Sequence, residues 1–162
     1  MFIYTLIALF IAFYYLKYRN IVYLKILNPQ ASVPHYATPD SAGFDLYSAD
    51  TYTLDPKQIL LVKIGLSFQI PSGYEVQIRS RSGMALKHGI CVLNSPGTID
   101  SDYRGEIGVI LHNVSETPFL INRGMKIAQG VLAPYVRATF QGKLKLPRKG
   151  ERGEGGFGST GS

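Results

Sequence analysis

"ILLVKIGLSFQIPSGYEVQIRS", residues 59–80, carries the clearest periodicity in the chain. In its second half Tyr74, Val76 and Ile78 alternate with Glu75, Gln77 and Arg79. That is the two-residue period of a strand with one buried face. The first half, 59–71, reads as one longer β-rich strand closed by Pro71, which cannot donate to a ladder. "PSG" between them is a turn, and "NRG" (122–124) is another. Outward from this point, "EIGVILHN" (106–113) and "PFLI" (118–121) add strands. Only "SGMALKHG" (82–89) reads as a helix, short, capped by Ser82 and stopped by Gly89. Many short strands between regular turns, from Ile21 to about Val136, predict an all-β domain: a sandwich, barrel or jelly roll.

The 162 residues suit one domain with a real core. Apolar residues make up 46% and charged residues 17%, a globular mix below the usual charged share of about a quarter. The net charge of +6 favours polyanionic partners. Six of the cations (Arg137, Lys143, Lys145, Arg148, Lys149 and Arg152) cluster against one acid, Glu151. This stretch is either a solvated linker or an arm that attracts anions. A single cysteine, Cys91, rules out a disulfide within the chain and indicates a reducing compartment. His35, His88 and His112 lack the spacing of a zinc site.

Residues 1–16, "MFIYTLIALFIAFYYL", carry no charge and are followed by Lys17 and Arg19. As a helix they span about 24 Å, short of a hydrocarbon core of about 30 Å. Tyr14, Tyr15 and Tyr18 suit an interface, and Lys17 can snorkel to extend the reach. A signal peptide is disfavoured, because basic residues before the run and a small-residue cleavage site after it are both missing. The run is read as a membrane anchor that leaves the rest of the chain cytoplasmic. A buried core element or a misassigned start codon is the alternative.

The loops concentrate Gly, Asp, Ser and Arg. "SAGFDLYS" (41–48) sets Asp45 beside a glycine turn, and "RSRSGMA" (79–85) puts Arg79, Arg81, Ser82 and Gly83 at the start of the helix. Backbone N–H groups at a helix start and an arginine fork are suited to phosphate. "NSPGTIDSDYRGE" (94–106) holds Asp100, Asp102, Arg104 and Glu106 around Tyr103. Carboxylates near phosphate indicate Mg²⁺ or a base that activates water. Taken singly, Asp45 and Asp102 also read as turn caps, Arg104 and Glu106 as an ion pair across a turn, and Tyr103 as packing. The tail "RGEGGFGSTG" (152–161) is too glycine-rich to hold one conformation alone, yet it offers an arginine, an aromatic and hydroxyls. As a set these groups point to nucleoside polyphosphate chemistry. The common phosphate loops G-x-G-x-x-G and G-x-x-x-x-G-K-[ST] are both absent.

From about Val22 to Gly161 the chain resembles the trimeric dUTPases. Five family motifs appear in order: "AGFDLYS", "RSRSGMA", "NSPGTIDSDYRGEI", "GMKIAQ" (124–129) and "RGEGGFGSTG". The third and fifth are the most specific. The resemblance implies a distorted β jelly roll, assembled as a homotrimer with active sites between subunits and a flexible C-terminal arm. It divides the chain into a hydrophobic segment (1–20), a β domain (21–147) and a glycine-rich lid (148–162).

The same resemblance implies hydrolysis of dUTP to dUMP and pyrophosphate with Mg²⁺, which keeps uracil out of DNA and supplies dUMP for thymidylate synthesis. No nucleic-acid partner is implied. By this resemblance Asp100 activates water, and Tyr103 packs under the deoxyribose. Asn94, with backbone groups of the hairpin through Gly97 and Ile99, reads uracil. Arg81, Ser82, Gly83 and Gln129 meet phosphates, and Asp45 holds Mg²⁺ through water. Arg152 reaches the γ-phosphate, Phe157 stacks on uracil, and Gly158, Ser159 and Thr160 contact phosphate oxygens. The second motif carries Ser80 where the family usually has proline, which predicts a slightly looser approach to Arg81. Lys126 stands where arginine is frequent, leaving a point charge without a fork. A dCTP deaminase, similar in fold, and a membrane-tethered nucleotide-binding module are the rival readings.

Overall fold

The computed structural model describes residues 20–144, together with the isolated residue Ile7. Within them lie eleven strands: β1 (Tyr23–Ile26), β2 (Phe44–Tyr47), β3 (Tyr52–Leu54), β4 (Ile59–Lys63), β5 (Leu66–Gln69), β6 (Tyr74–Arg79), β7 (Ile90–Val92), β8 (Gly97–Ile99), β9 (Gly108–Asn113), β10 (Phe119–Ile121) and β11 (Lys126–Pro134). One helix, α1 (Ser82–His88), interrupts them. Every pairing is antiparallel. The larger sheet runs β2-β11-β6-β8, the smaller β4-β9-β7, and β1-β5 and β10-β3 are two-stranded ribbons. The strand periodicity predicted an all-β domain, and the family resemblance implied the jelly-roll form that this architecture takes.

Alternation decides which side chains make the core. In β6, Val76 and Ile78 point inward. In β9, Val109 and Leu111 point inward, while Ile110 and His112 face outward. They meet Leu46, Leu54, Val62, Ile64, Leu66, Phe68 and Ile121, all at most 2% exposed. Each such side chain contributes about 1.5–3 kcal/mol of burial.

Two local expectations are corrected. The stretch 59–71 is not one strand: β4 pairs with β9, whereas β5 pairs with β1. Gly65 makes the break at φ +72°, where a Cβ would lie 2.7 Å from the Asn28 Cβ and 2.9 Å from the Ala31 Cβ. Its carbonyl accepts the Leu27 and Asn28 N–H groups, tying the incoming chain to the corner. Only glycine takes that conformation at low cost in so tight a place. The helix is also entered differently. Arg81, not Ser82, is the N-cap residue, and no side chain caps the turn. Gly89 does end the helix, in the left-handed region with its N–H on the Ala85 carbonyl.

Asn113 ends β9 with its side chain fully buried. Its Nδ2 donates to the Leu54 and Thr117 carbonyls at 3.0 and 2.8 Å, and its Oδ1 accepts from the N–H and Oγ of Ser115 at 2.9 and 2.7 Å. Asn113→Ala removes all four bonds, takes the side-chain donor from the buried Leu54 carbonyl and leaves the Thr117 carbonyl with only Ser115 Oγ at 3.1 Å. The expected loss is about 3 kcal/mol of unfolding free energy in urea denaturation. An unchanged midpoint would show that the network contributes nothing.

Among the described residues no helix is long and apolar enough to cross a membrane. Apart from Ile7, the hydrophobic run 1–16 read as an anchor lies outside them, as does the lid, 148–162.

Candidate active site

The expected site residues fall into two clusters. The first gathers on the larger sheet and the start of α1, around a cleft of about 540 Å³ lined by Asp45, Arg81, Ser82, Gly83 and Gln129 together with Lys87 and His88. Asp45 on β2 stands opposite Gln129 on β11, which stands opposite Arg79 on β6. Its carboxylate is mostly shielded and takes two cations: Arg81 Nε lies 3.3 Å from Oδ1, and Lys126 Nζ 2.7 Å from Oδ2. Asp45 is thus an ion-pair partner on a strand, not a turn cap.

A bulge in β11 makes that double pairing available. Lys126 faces Tyr47 and Ala128 faces Leu46, so two residues of β11 oppose one step of β2. Tyr47 shares its strand face with Asp45, two residues away. Lys126 therefore arrives on the Asp45 face. Without the extra residue it would sit opposite Ser48, pointing away.

Ser80, expected to loosen the approach to Arg81, is anchored by its own side chain. Its Oγ accepts the Val92 N–H at 2.8 Å, and its carbonyl accepts Gln129 Nε2 at 3.0 Å. The first of these bonds belongs to the serine side chain, whereas the second uses a carbonyl that proline would also offer. Arg81 Nη1 adds a bond to the Lys126 carbonyl at 3.2 Å. Ser82 and Gly83 are exposed, and a Cβ on Gly83 would meet nothing within 4 Å, so its bare face opens on the cleft. Gly43 gives Gln129 its place, because a Cβ there would come 2.6 Å from Gln129 Oε1.

The second cluster lies around a cleft of about 400 Å³ lined by Asp100, Tyr103, Ile99, Lys63, Glu106, Leu61 and Ile110. Asp100 follows β8 and is exposed, and its carbonyl accepts the Tyr103 N–H in a tight turn. The Tyr103 Oη donates to the Glu106 carbonyl at 3.1 Å. The ring folds back over Gly105, where a Cβ would lie 2.6 Å from Tyr103 Cζ. Tyr103 remains 44% exposed, which leaves its face open to a ligand. Asn94 is exposed on the hairpin before β8, with Nδ2 3.1 Å from where a Gly97 Cβ would stand. Arg104 and Glu106 do not pair. Arg104 Nη1 is satisfied by the Ser101 and Tyr103 carbonyls at 2.7 and 2.8 Å. Glu106 instead meets Lys63 at 2.9 Å, because β4 pairs Lys63 with Gly108. The hydrogen bond that the Lys63 ammonium donates to Glu106, then the Glu106 charge, raises the Lys63 pKa above its ordinary 10.5.

Lys63 and Lys87 were not singled out by any motif. The signal for Lys63 was present: one cation inside the apolar run "ILLVKIG". Arg152, Phe157, Gly158, Ser159 and Thr160 lie outside the described residues. Among the described residues no group of three His, Cys, Asp or Glu could hold a metal ion unaided. Among the same residues Asp45 is the one carboxylate lining the first cleft, and both its oxygens already meet cations.

The clusters are far apart within one chain. Ile99 pairs with Val76, whereas Asp45 lies in the row of Arg79. Asp100 is thus three strand spacings across from Asp45 and about four residues along, a separation of about 20 Å at about 4.8 Å per strand and 3.3 Å per residue.

A family profile described as dUTPase matches residues 29–161. The deoxyuridine 5'-triphosphate nucleotidohydrolase of Nautilia profundicola is 54% identical over 138 residues, covering 85% of this chain and 96% of that one. The Chlamydia pneumoniae protein of the same name is 52% identical over 138 residues, covering 84% and 95%. Among solved structures, the dUTPase of Staphylococcus bacteriophage 80alpha with dUPNHPP superposes with a TM-score of 0.82 at 28% identity, covering 88% of this chain and 99% of that one.

Proposed function

This chain belongs to the dUTPase family and is a dUTP diphosphatase, and we propose that it works by in-line attack of water on the α-phosphorus of dUTP. The observation that supports this most directly is the exposed Asp100 beside the open face of Tyr103 in one cleft. Asp100 takes the proton of the attacking water as general base. Tyr103 lies under the deoxyribose and leaves no room for a 2′-hydroxyl. Asn94, with the backbone of Gly97 and Ile99, reads uracil.

Arg81, Ser82, Gly83 and Gln129 receive the phosphates, and Arg81 with Arg152 and backbone N–H groups offsets charge on the leaving pyrophosphate. Phe157 stacks on the base, and Gly158, Ser159 and Thr160 contact phosphate oxygens. Mg²⁺, when bound to the triphosphate, supplies further positive charge, and Asp45 would hold it through water. Positioning contributes most of the acceleration.

A separation of about 20 Å between Asp45 and Asp100 is more than one bound nucleotide's reacting atoms can bridge within a chain. We read this as two halves of a site completed by another copy, in a homotrimer. Residues 21–147 form the catalytic unit, with residues 1–20 as a membrane-directed segment ahead of it and 148–162 as its lid.

Pyrophosphate release by the full chain from dUTP, dTTP, dCTP and UTP tests the reading. The expected preference for dUTP is about a hundredfold or more. Ammonia in place of pyrophosphate would identify a deaminase, and saturable dUTP binding with no product would leave a binding module.

A further inference from the structure

The segment Tyr103–Glu106 carries the residue read as the floor of the sugar pocket, yet it is not part of a strand. Two bonds hold it to β4 and β5, and two more fix the next residue, Ile107, at the corner between those strands. At one end Lys63 Nζ on β4 meets Glu106 Oε2 at 2.9 Å. At the other, Ser67 Oγ on β5 donates to the Arg104 carbonyl at 2.7 Å, with Ser67 itself 4% exposed. Just beyond Glu106, the Ile107 N–H donates to the Leu66 carbonyl at 2.8 Å, and the Ile64 N–H to the Ile107 carbonyl at 3.2 Å. The Tyr103 Oη completes the arrangement on the carbonyl of Glu106, the residue whose side chain Lys63 holds. Gly105 lets the ring lie back against this tether.

We propose that Lys63 and Ser67 are positioning residues of the nucleoside pocket, pinning the Tyr103–Glu106 segment so that the Tyr103 ring stands where it discriminates deoxyribose from ribose. Neither belongs to the motifs that carry the family resemblance. The inference rests on the reading of Tyr103 as the sugar platform. Lys63 acts through charge at an exposed site, and Ser67 acts through a buried hydroxyl. Their loss moves the ring by different routes to the same effect.

The test compares Lys63→Met, Ser67→Ala and the charge swap Lys63→Glu with Glu106→Lys, all in the full chain. The ratio of kcat/KM for dUTP over UTP is expected to fall about threefold for Lys63→Met, in keeping with an exposed ion pair. It falls about tenfold for Ser67→Ala, in keeping with a carbonyl left without its donor. The loss lies in a raised KM for dUTP, and the charge swap restores the ratio. A purely structural role would lower the amount of folded protein without moving this ratio. An unchanged ratio in both single variants would overturn the proposal. A second readout does not depend on turnover: ring resonances of labelled Tyr103 in the unliganded protein shift in both variants and return in the swap. Unmoved resonances would also overturn it. If the unaltered chain released no pyrophosphate from dUTP, the functional reading would fall while the resonances still judged the tether.

Discussion

Asp100→Asn is expected to slow pyrophosphate release from dUTP by about 10²–10⁴-fold, the contribution of a positioned general base. Asparagine keeps the shape of aspartate and cannot accept the proton. The turn survives the change, because it is the Asp100 carbonyl that holds the Tyr103 N–H at 3.2 Å. The side chain is exposed, so the folded state does not depend on its charge. The dissociation constant for a non-hydrolysable dUTP analogue should therefore stay within about threefold, the scale of a surface charge effect. Single-turnover kinetics alongside analogue titration separate the two quantities. Normal turnover in the variant would remove Asp100 from the chemistry.

Deletion of residues 150–162 is expected to have the second largest effect. The tail offers Arg152 to a phosphate, Phe157 to a base and several backbone amides. A charged hydrogen bond contributes about 1.5–3 kcal/mol and an aromatic stack about 1. Losing both costs about 2.5–4 kcal/mol, or roughly 70- to 900-fold in kcat/KM. The core from Phe44 to Ala128 contains none of these residues, so the thermal unfolding midpoint should hold. Full activity after the deletion would make the tail a terminus and nothing more.

The strands that could be read in advance were those with one wet face. In β6 polar residues alternate with Val76 and Ile78, and the period is plain. Where both faces are covered the period vanishes. Leu66, Ser67 and Phe68 are all buried, so "ILLVKIGLSFQI" looked like one strand and the turn at Gly65 was hidden inside it. The site was legible where residue types at close spacing carry the chemistry, as in Asp100 with Tyr103. It was illegible where a partner arrives from a distant part of the chain. Glu106 met Lys63 and not Arg104, because strand register brought a lysine from 43 positions earlier to its side. The role of Ser80 was hidden for the same reason, since Val92 and Gln129 lie far along the chain.

The bulge in β11 has a consequence for how this enzyme tolerates changes in length. A strand is a two-beat rhythm, and one extra residue between Lys126 and Ala128 shifts the beat. The charge balance around Asp45 is therefore a matter of counting as much as of chemistry. Lys126 could be kept, with every named residue intact, and the pairing would still be lost if one position dropped out of that interval. For this stretch, substitution is the mild form of variation and deletion the severe one, the reverse of what holds in the surface loops on either side.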